Sequence, residues 1–479
     1  MVQTPVEVDL RGKRLMLCSN REPYTVTKTD GGYQYQATIG GLVSALIPII
    51  RTTHGMWISW AGGDVSEREQ LPAKQLVPGE EPRFEQRRVF LTQEEVTNYY
   101  YGFANQALWP LSHYFLEQAN FQDEHWEAYD NVNRKFAEAI IKEIDVDNDL
   151  LWLQDYHLAL VAGIIQEEIP NLKSSLFWHI PFPHADFFRF IPWRAEILEG
   201  MLGNDVIGFH LPQYCLNFGR AVERTLGYDW DREALEIYVG DRVVKLLPRG
   251  IGVNFGYFDS LGGSDETISK ARDIRKTMNA QHLILGVDRL DYTKGIKQRL
   301  LTLERFFDKY PDYVGRASLI QIAVPSRTHV PEYQQMKDEI EYHAGRINGK
   351  FSVRGWVPIH YFYRGLPQEE LIAYYRAADV ALITPIRDGM NLIAKEFAAA
   401  RHDERGALVL GELAGVAREF PDLVAINPFD IEQGATAIKE ALEMPEQRMK
   451  ETMQRMRRHV REKDLKWWIE QNLDMLVEM

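Results

Sequence analysis

The stretch Ile284-Leu-Gly-Val-Asp-Arg289-Leu-Asp-Tyr-Thr-Lys294-Gly-Ile-Lys-Gln-Arg-Leu300 decides how this chain reads. Leu283 to Val287 is a continuous apolar run rather than an alternating one, as expected of a strand buried on both faces. Asp288, Arg289 and Asp291 follow, then Lys294-Gly295, and a helical pattern starts at Ile296. Two cations, Arg289 and Lys294, therefore sit where a strand ends and a helix begins. In parallel α/β sheets that edge binds ligands, and the helix N-terminus adds partial positive charge suited to phosphate. A surface turn with solvated charges is the competing reading. A second turn of the same kind, Pro385 to Leu392, weighs against it.

The chain has 479 residues, too many for one ordinary core, so two or three domains are expected. With 45% hydrophobic and 26% charged residues it has the composition of a soluble globular protein. The apolar stretch Leu42 to Ile50 is broken by Ser44 and Pro48 and falls far short of a membrane span. The first residues lack the basic and apolar regions of a signal peptide. Two cysteines, Cys18 and Cys215, support neither a disulfide framework nor a zinc knuckle. These features predict a cytoplasmic protein. A net charge of −14 argues against nucleic acid or an anionic membrane as partner. Phosphorylated substrates would then have to be held by a local cluster of Arg and Lys against an unfavourable global field.

Outward from the central stretch, the chain alternates strands and helices. Arg14 to Cys18 is strand-like and leads to Ser19-Asn20-Arg21. Thr25 to Gln36 reads as a hairpin or loop, and Gly40-Gly41 opens a helix. Paired glycines there let a ligand approach the backbone, although the dinucleotide-binding spacing is absent. Gly55 to Gly63 reads as a strand, and Thr97 to Tyr114 is dense in aromatics that suit a core or a sugar ring. Leu150 to His157 and Ser174 to His179 are strand-like runs flanking a helical Leu158 to Glu168, a β–α–β unit. The strand rhythm restarts after a boundary near 245–260, with runs at Leu319–Val324, Val380–Thr384, Ala407–Gly411 and Leu423–Asn427. This predicts a mainly parallel, doubly wound sheet in each half. The tail from Pro445 to Leu476 reads as helical and packs back across the domains.

The polar residues that end strands are Arg21, Asp155, His179, Arg289, Lys294, Arg327 and Asp388, together with the helix start after Gly389. In two α/β domains they could line one cleft between them. Three arginines and a lysine could neutralise more than one phosphate, and Asp155, Asp388 and Glu396 suit sugar or ribose hydroxyls. No catalytic triad order, zinc spacing or Walker A loop competes. The residues thus predict a transferase handling phosphorylated sugars or nucleotides.

Ser-Asn-Arg21, Gly40-Gly41-Leu, Trp57-Ile-Ser-Trp60, Tyr99-Tyr100, Trp109-Pro110, Trp152-Leu-Gln-Asp155-Tyr-His157 and His179-Ile-Pro-Phe-Pro183 belong to a single pattern. It continues in Val287-Asp-Arg289-Leu-Asp-Tyr-Thr-Lys294-Gly, Pro325-Ser-Arg327, Ala344 to Lys350 and Thr384 to Glu396. With these segments the chain resembles the trehalose-6-phosphate synthase family over nearly its whole length, leaving no room for the phosphatase domain that some members append. The resemblance implies the glycosyltransferase-B architecture: two facing Rossmann-like domains, 1–250 for the acceptor and 251–455 for the nucleotide-sugar, with an active-site cleft between them. A terminal helix, 456–479, is expected to pack on the first domain.

The resemblance also implies residue roles. Arg21, Tyr100, Asp155 and Arg327 would hold glucose 6-phosphate, in a pocket shaped by Trp60 and Trp109. Gly40 and Gly41 would meet the donor through the backbone, and Arg289 and Lys294 would clamp its diphosphate. Gly389, Met390 and Asn391 would lead into backbone N–H groups of Leu392, Ile393, Ala394 and Lys395. Glu396 would take the ribose, Leu366 the nucleobase through the main chain, and Asp388 and His179 the donor glucose. Asp155, His179, Arg289, Lys294 and Asp388 are the residues expected to act on the reacting groups.

The implied reaction retains configuration and moves glucose from UDP-, ADP- or GDP-glucose to glucose 6-phosphate, giving α,α-trehalose 6-phosphate. Arg289, Lys294 and a helix N-terminus can stabilise the departing diphosphate, so neither cofactor nor metal is expected. Retention without an obvious carboxylate nucleophile favours attack on the face the leaving group departs from. The expected partners are small molecules, and self-association into a homo-oligomer stays open. Glu22-Pro-Tyr after Arg21 resembles glucosylglycerol-phosphate synthases, which makes glycerol 3-phosphate the alternative acceptor. A sugar-phosphate sensor without catalysis is the alternative of another class.

Overall fold

The computed structural model describes residues 8–29, 32–37, 41–61, 71–77, 83–327, 331–420 and 423–478. The chain divides into two compact units. Residues up to Ile251 together with those from Lys466 onward form the first, and Gly252–Leu465 the second.

The second unit is built on six parallel strands. Across the sheet they run Ile359–Tyr363, Ala317–Val324, His282–Arg289, Val380–Ile383, Ala407–Gly411 and Val424–Ile426. Numbered along the chain this is the order 3-2-1-4-5-6, the doubly wound arrangement. Leu283, Ile284, Leu285 and Val287 are all buried, as the unbroken apolar run requires. The helix Ile296–Lys309 then lays Leu300, Leu303, Phe306 and Phe307 on the sheet.

The first unit repeats the plan in a ten-stranded sheet. Seven strands are parallel, in the order Glu85–Val89, Met56–Trp60, Arg14–Arg21, Asp149–Gln154, Ser174–Trp178, Val206–Phe209 and Arg242–Pro248. Antiparallel strands close both edges, Lys74–Leu76 on one side and Glu236–Val239 with Trp230–Asp231 on the other. Again the parallel order reverses at the first strand, 3-2-1-4-5-6-7 along the chain. The stretch from Tyr24 to Ala37 pairs as an antiparallel hairpin, Tyr24–Thr29 with Gly32–Ala37.

The tail differs from the single helix expected. It forms two helices, Glu446–Glu462 and Leu465–Glu478, broken at Lys463-Asp464. Lys463 leaves helical backbone angles, the Leu465 N–H bonds the Val253 carbonyl at 3.1 Å, and the Gly252 backbone abuts Asp464. A side chain on Gly252 would collide there, so the break is where the chain crosses its own linker. Residues 456–462 thus stay with the second unit, and the segment belonging to the first begins at Lys466. Trp468 is fully buried against Trp152 and Phe177, and Leu473 and Leu476 are buried as well. No helix among the described residues is long and apolar enough to cross a membrane.

Candidate active site

In the second unit the chain-order reversal falls between His282–Arg289 and Val380–Ile383, and the predicted cationic turns leave the ends of these two strands. Asp291 caps the turn Tyr292–Lys294, its Oδ1 accepting from Thr293 N at 3.0 Å and Thr293 Oγ at 2.8 Å. Gly295 follows in the left-handed region at φ 62°, and a Cβ there would lie 2.1 Å from the Thr384 carbonyl oxygen. Only glycine lets the two strand ends close so tightly. The closure brings Lys294 Nζ to 2.6 Å from Asp388 Oδ2, which also accepts from Asn391 Nδ2 at 3.0 Å. Arg289 ends its strand with an exposed side chain.

Asn391, at φ 78°, is the N-cap of the helix Leu392–Ala400. Its Oδ1 accepts from Ala394 N at 3.2 Å, so that N–H is engaged within the helix start rather than presented to a ligand. Gly389 and Met390 are buried beneath it, with the Gly415 backbone packed on the Gly389 carbonyl. The expected contribution of Lys395 is its backbone N–H, and its side chain is engaged elsewhere. It is buried and pairs with Glu419 at 2.7 Å, and His459 lies 3.1 Å from the same carboxylate. Burial would raise Glu419, but Lys395 and His459 outweigh it and hold the carboxyl at about 2. Glu396 accepts from Tyr375 OH at 2.7 Å, and burial pushes its carboxyl up to about 7. Leu366 is buried in the loop between Ile359–Tyr363 and the helix Gln368–Ala377.

Arg327 lies in the second unit at φ 47°, its Nη1 donating to Asp291 Oδ2 at 3.0 Å, with Tyr333 OH bonded to both. Burial would raise Asp291, but Arg327, Arg289 and Lys294 hold it down to about 2. One buried carboxylate thus ties Arg327 to the turn carrying Lys294.

In the first unit the reversal falls between Arg14–Arg21 and Asp149–Gln154, and Arg21 and Asp155 mark those two ends. Arg21 is exposed, its guanidinium 4.7 Å from the Tyr100 ring centre and 5.6 Å from that of Trp60. Tyr100 stacks on His157 at 5.8 Å, and Trp60 lies 5.7 Å from Tyr100. Trp109 is buried against His113 and Tyr156. Asp155 is held at φ 74°, unusual for a non-glycine residue, while its Oδ1 accepts from Tyr156 N and His179 N. His179 Nε2 lies 2.9 Å from Gln154 Oε1. Burial, with His210 nearby, pushes its imidazole well below the usual range, so the ring is neutral at pH 7. Gly41 begins the helix Gly41–Thr52, and Gly40 lies outside the described residues.

Several supporting residues were not singled out from sequence. Tyr100 projects from a wide helix, Val96–Leu108, whose Asn105 donates to the Tyr100 carbonyl at 2.6 Å and accepts from Tyr156 OH at 3.0 Å. Glu22, next to Arg21, forms a buried pair with Arg88 at 2.9 Å. The Glu-Pro pair after Arg21 was visible, but its partner 66 residues on was not. Among the described residues, no group of three or more His, Cys, Asp or Glu side chains is placed to hold a metal ion.

The profile of glycosyltransferase family 20 matches residues 13–478. The chain is 40% identical over 468 residues to a bifunctional trehalose-6-phosphate synthase/phosphatase of Thermoproteus tenax, covering 95% of this chain but 62% of that protein. It is 38% identical over 462 residues to a UDP-forming α,α-trehalose-phosphate synthase of Schizosaccharomyces pombe, covering 95% of this chain and 89% of that one. Among solved structures, a UDP-forming α,α-trehalose-phosphate synthase of Burkholderia xenovorans in complex with glucose 6-phosphate superposes with a TM-score of 0.88. It is 29% identical, with 97% of this chain and 99% of that chain covered.

Proposed function

The chain belongs to glycosyltransferase family 20, and from that premise we propose that it transfers glucose from a nucleotide-glucose to glucose 6-phosphate. The products are α,α-trehalose 6-phosphate and a nucleoside diphosphate, formed with retention at the anomeric carbon. One observation carries the reading. In each unit a set of candidate residues, Arg21 with Asp155, and Arg289 and Lys294 with Asp388, ends or follows the two strands where the parallel order reverses, the place where doubly wound sheets take ligands.

Arg289 and Lys294 neutralise the diphosphate as it departs, and the start of the helix Leu392–Ala400 adds its partial charge. Charge stabilisation rests on these groups and involves no metal. Arg21, stacked on aromatic rings, grips the acceptor phosphate, while Asp155 orients the acceptor sugar without acting as nucleophile. Glu396 takes the ribose, and neutral His179 serves as a hydrogen-bonding group to the donor glucose. UDP-glucose is the donor we place first, because the relatives from Schizosaccharomyces pombe and Burkholderia xenovorans are UDP-forming.

The test is nucleoside-diphosphate release with UDP-, ADP- and GDP-glucose, each paired with glucose 6-phosphate and with glycerol 3-phosphate. Release with glucose 6-phosphate alone is the expected result. A preference for glycerol 3-phosphate would reassign the acceptor and direct attention to the Glu22–Arg88 pair beside Arg21. Nucleotide binding without release for any pair would replace the enzyme by a sensor.

A further inference from the structure

We propose that Tyr375 is a positioning residue for nucleotide recognition, its hydroxyl fixing Glu396 so that the carboxylate presents its other oxygen to the donor ribose. This rests on the ribose role given to Glu396 above. Tyr375, from the helix Gln368–Ala377, is fully buried, and its hydroxyl donates to Glu396 Oε2 at 2.7 Å. Glu396 is 9% exposed, and among the described residues Tyr375 is the hydrogen-bond partner of its carboxylate. A carboxylate has two oxygens and about four acceptor directions. One oxygen spent on a buried phenol leaves the second for a vicinal diol, in a fixed orientation.

Tyr375 is itself anchored. Its carbonyl accepts from Arg401 Nη1 at 2.7 Å, and its ring meets Phe397 edge-on. Burial, Glu396 and Asp288 push its hydroxyl well above the usual range, so it remains a donor at every working pH. The other charged groups around the Glu396 helix are occupied elsewhere. Arg457 donates to the Ala398 and Ala399 carbonyls and pairs with Asp259, which His402 also meets. Lys395 and His459 face Glu419, and Asp288 pairs with Arg299. Two influences therefore set the charge of Glu396: burial, which raises it to about 7, and the Tyr375 hydroxyl, which opposes burial. A phenol donates more strongly to the ionised carboxylate than to the neutral acid, and so favours the acceptor that a ribose needs.

The experiment measures KM for the nucleotide-glucose and for glucose 6-phosphate against pH in the wild type, Tyr375→Phe and Glu396→Gln. In the wild type, donor KM rises as pH falls through about 7. Tyr375→Phe should move that midpoint up by about one pH unit and raise donor KM roughly tenfold at neutral pH, with glucose 6-phosphate KM within about twofold. Glu396→Gln should raise donor KM and flatten its pH dependence, and adding Tyr375→Phe to it should leave the flat profile unchanged. If Glu396→Gln raises donor KM while Tyr375→Phe keeps the wild-type KM and midpoint, the positioning role is wrong and the ribose role stands. If Glu396→Gln leaves donor KM unchanged, the ribose role fails and the proposal falls with it.

Discussion

Lys294 Nζ and Asp388 Oδ2 lie 2.6 Å apart although their residues are 94 positions apart in the chain. Each side chain is about one-eighth exposed, at 12% and 13%, so the pair is neither solvent-screened nor sealed in the core. Removing one partner leaves the other charge partly desolvated. Lys294→Met should lower kcat by about 100- to 1000-fold, the usual loss for one donor to a developing anion. The double variant with Asp388→Asn should show coupling of at least about 1 kcal/mol in a mutant cycle on kcat/KM. Additive losses would mean that the two residues serve the donor independently.

Arg289 has an exposed side chain at a strand end, so its loss opens no cavity. Arg289→Ala should reduce transfer by roughly 100-fold or more and leave the melting temperature within about two degrees of wild type. Unchanged turnover in this variant would remove Arg289 from the diphosphate clamp.

Arg21 is held over two rings, Tyr100 and Trp60, which a planar guanidinium can cover and a compact ammonium cannot. Arg21→Ala should raise KM for glucose 6-phosphate by about tenfold or more with donor KM little changed, and Arg21→Lys should recover only part of the loss. The readout is the pair of KM values under saturating co-substrate. A donor-specific defect would contradict the acceptor assignment.

Glu396 also sets a stability dependence. Its carboxyl is raised from 4.5 to about 7, so the folded state binds the proton more tightly than the unfolded chain. That stabilisation is full below the unfolded value and is lost as pH rises through about 7, amounting to roughly 3 kcal/mol at most by linkage. Glu396→Gln carries no proton to lose. Its melting temperature relative to wild type should therefore increase from about pH 5.5 to about 8.5 in ligand-free protein. A constant difference across that range would place the Glu396 carboxyl near its ordinary value.

If side chains and a helix terminus supply the positive charge at the leaving group, as proposed, treatment with EDTA followed by desalting should leave turnover within about twofold. A large loss restored by magnesium or manganese would show a metal requirement.

The strand Leu283–Val287 and its cationic turn were readable because strand, turn and helix are all local in sequence and their apolar period is unambiguous. So were Asp155, Asp388 and Arg21, which end similar runs. The chain-order reversals were not readable, since alternating elements fix a parallel sheet but not which strand lies beside which. Tyr375 gave no signal either. It looked like one more core aromatic beside Tyr374, and its meaning comes from a carboxylate 21 residues later. Lys395 shows the other limit: its expected contribution is a backbone N–H, and nothing in the sequence signals that its ammonium pairs with Glu419. Arg88 and Asn105 act through distant partners, Glu22 and Tyr156, that only the fold brings near.

The crossing at Lys463-Asp464 has a consequence for biosynthesis. The first unit needs Trp468, Leu473 and Leu476 to fill space beside Trp152 and Phe177, yet the ribosome adds these only after the whole second unit. The second unit, by contrast, is continuous in sequence. Vectorial synthesis therefore allows the second unit to mature first, while the first keeps an apolar slot open until the helix Leu465–Glu478 emerges. An open apolar slot of this kind exposes the nascent chain to misassembly, and removing residues 468–478 would leave it unfilled.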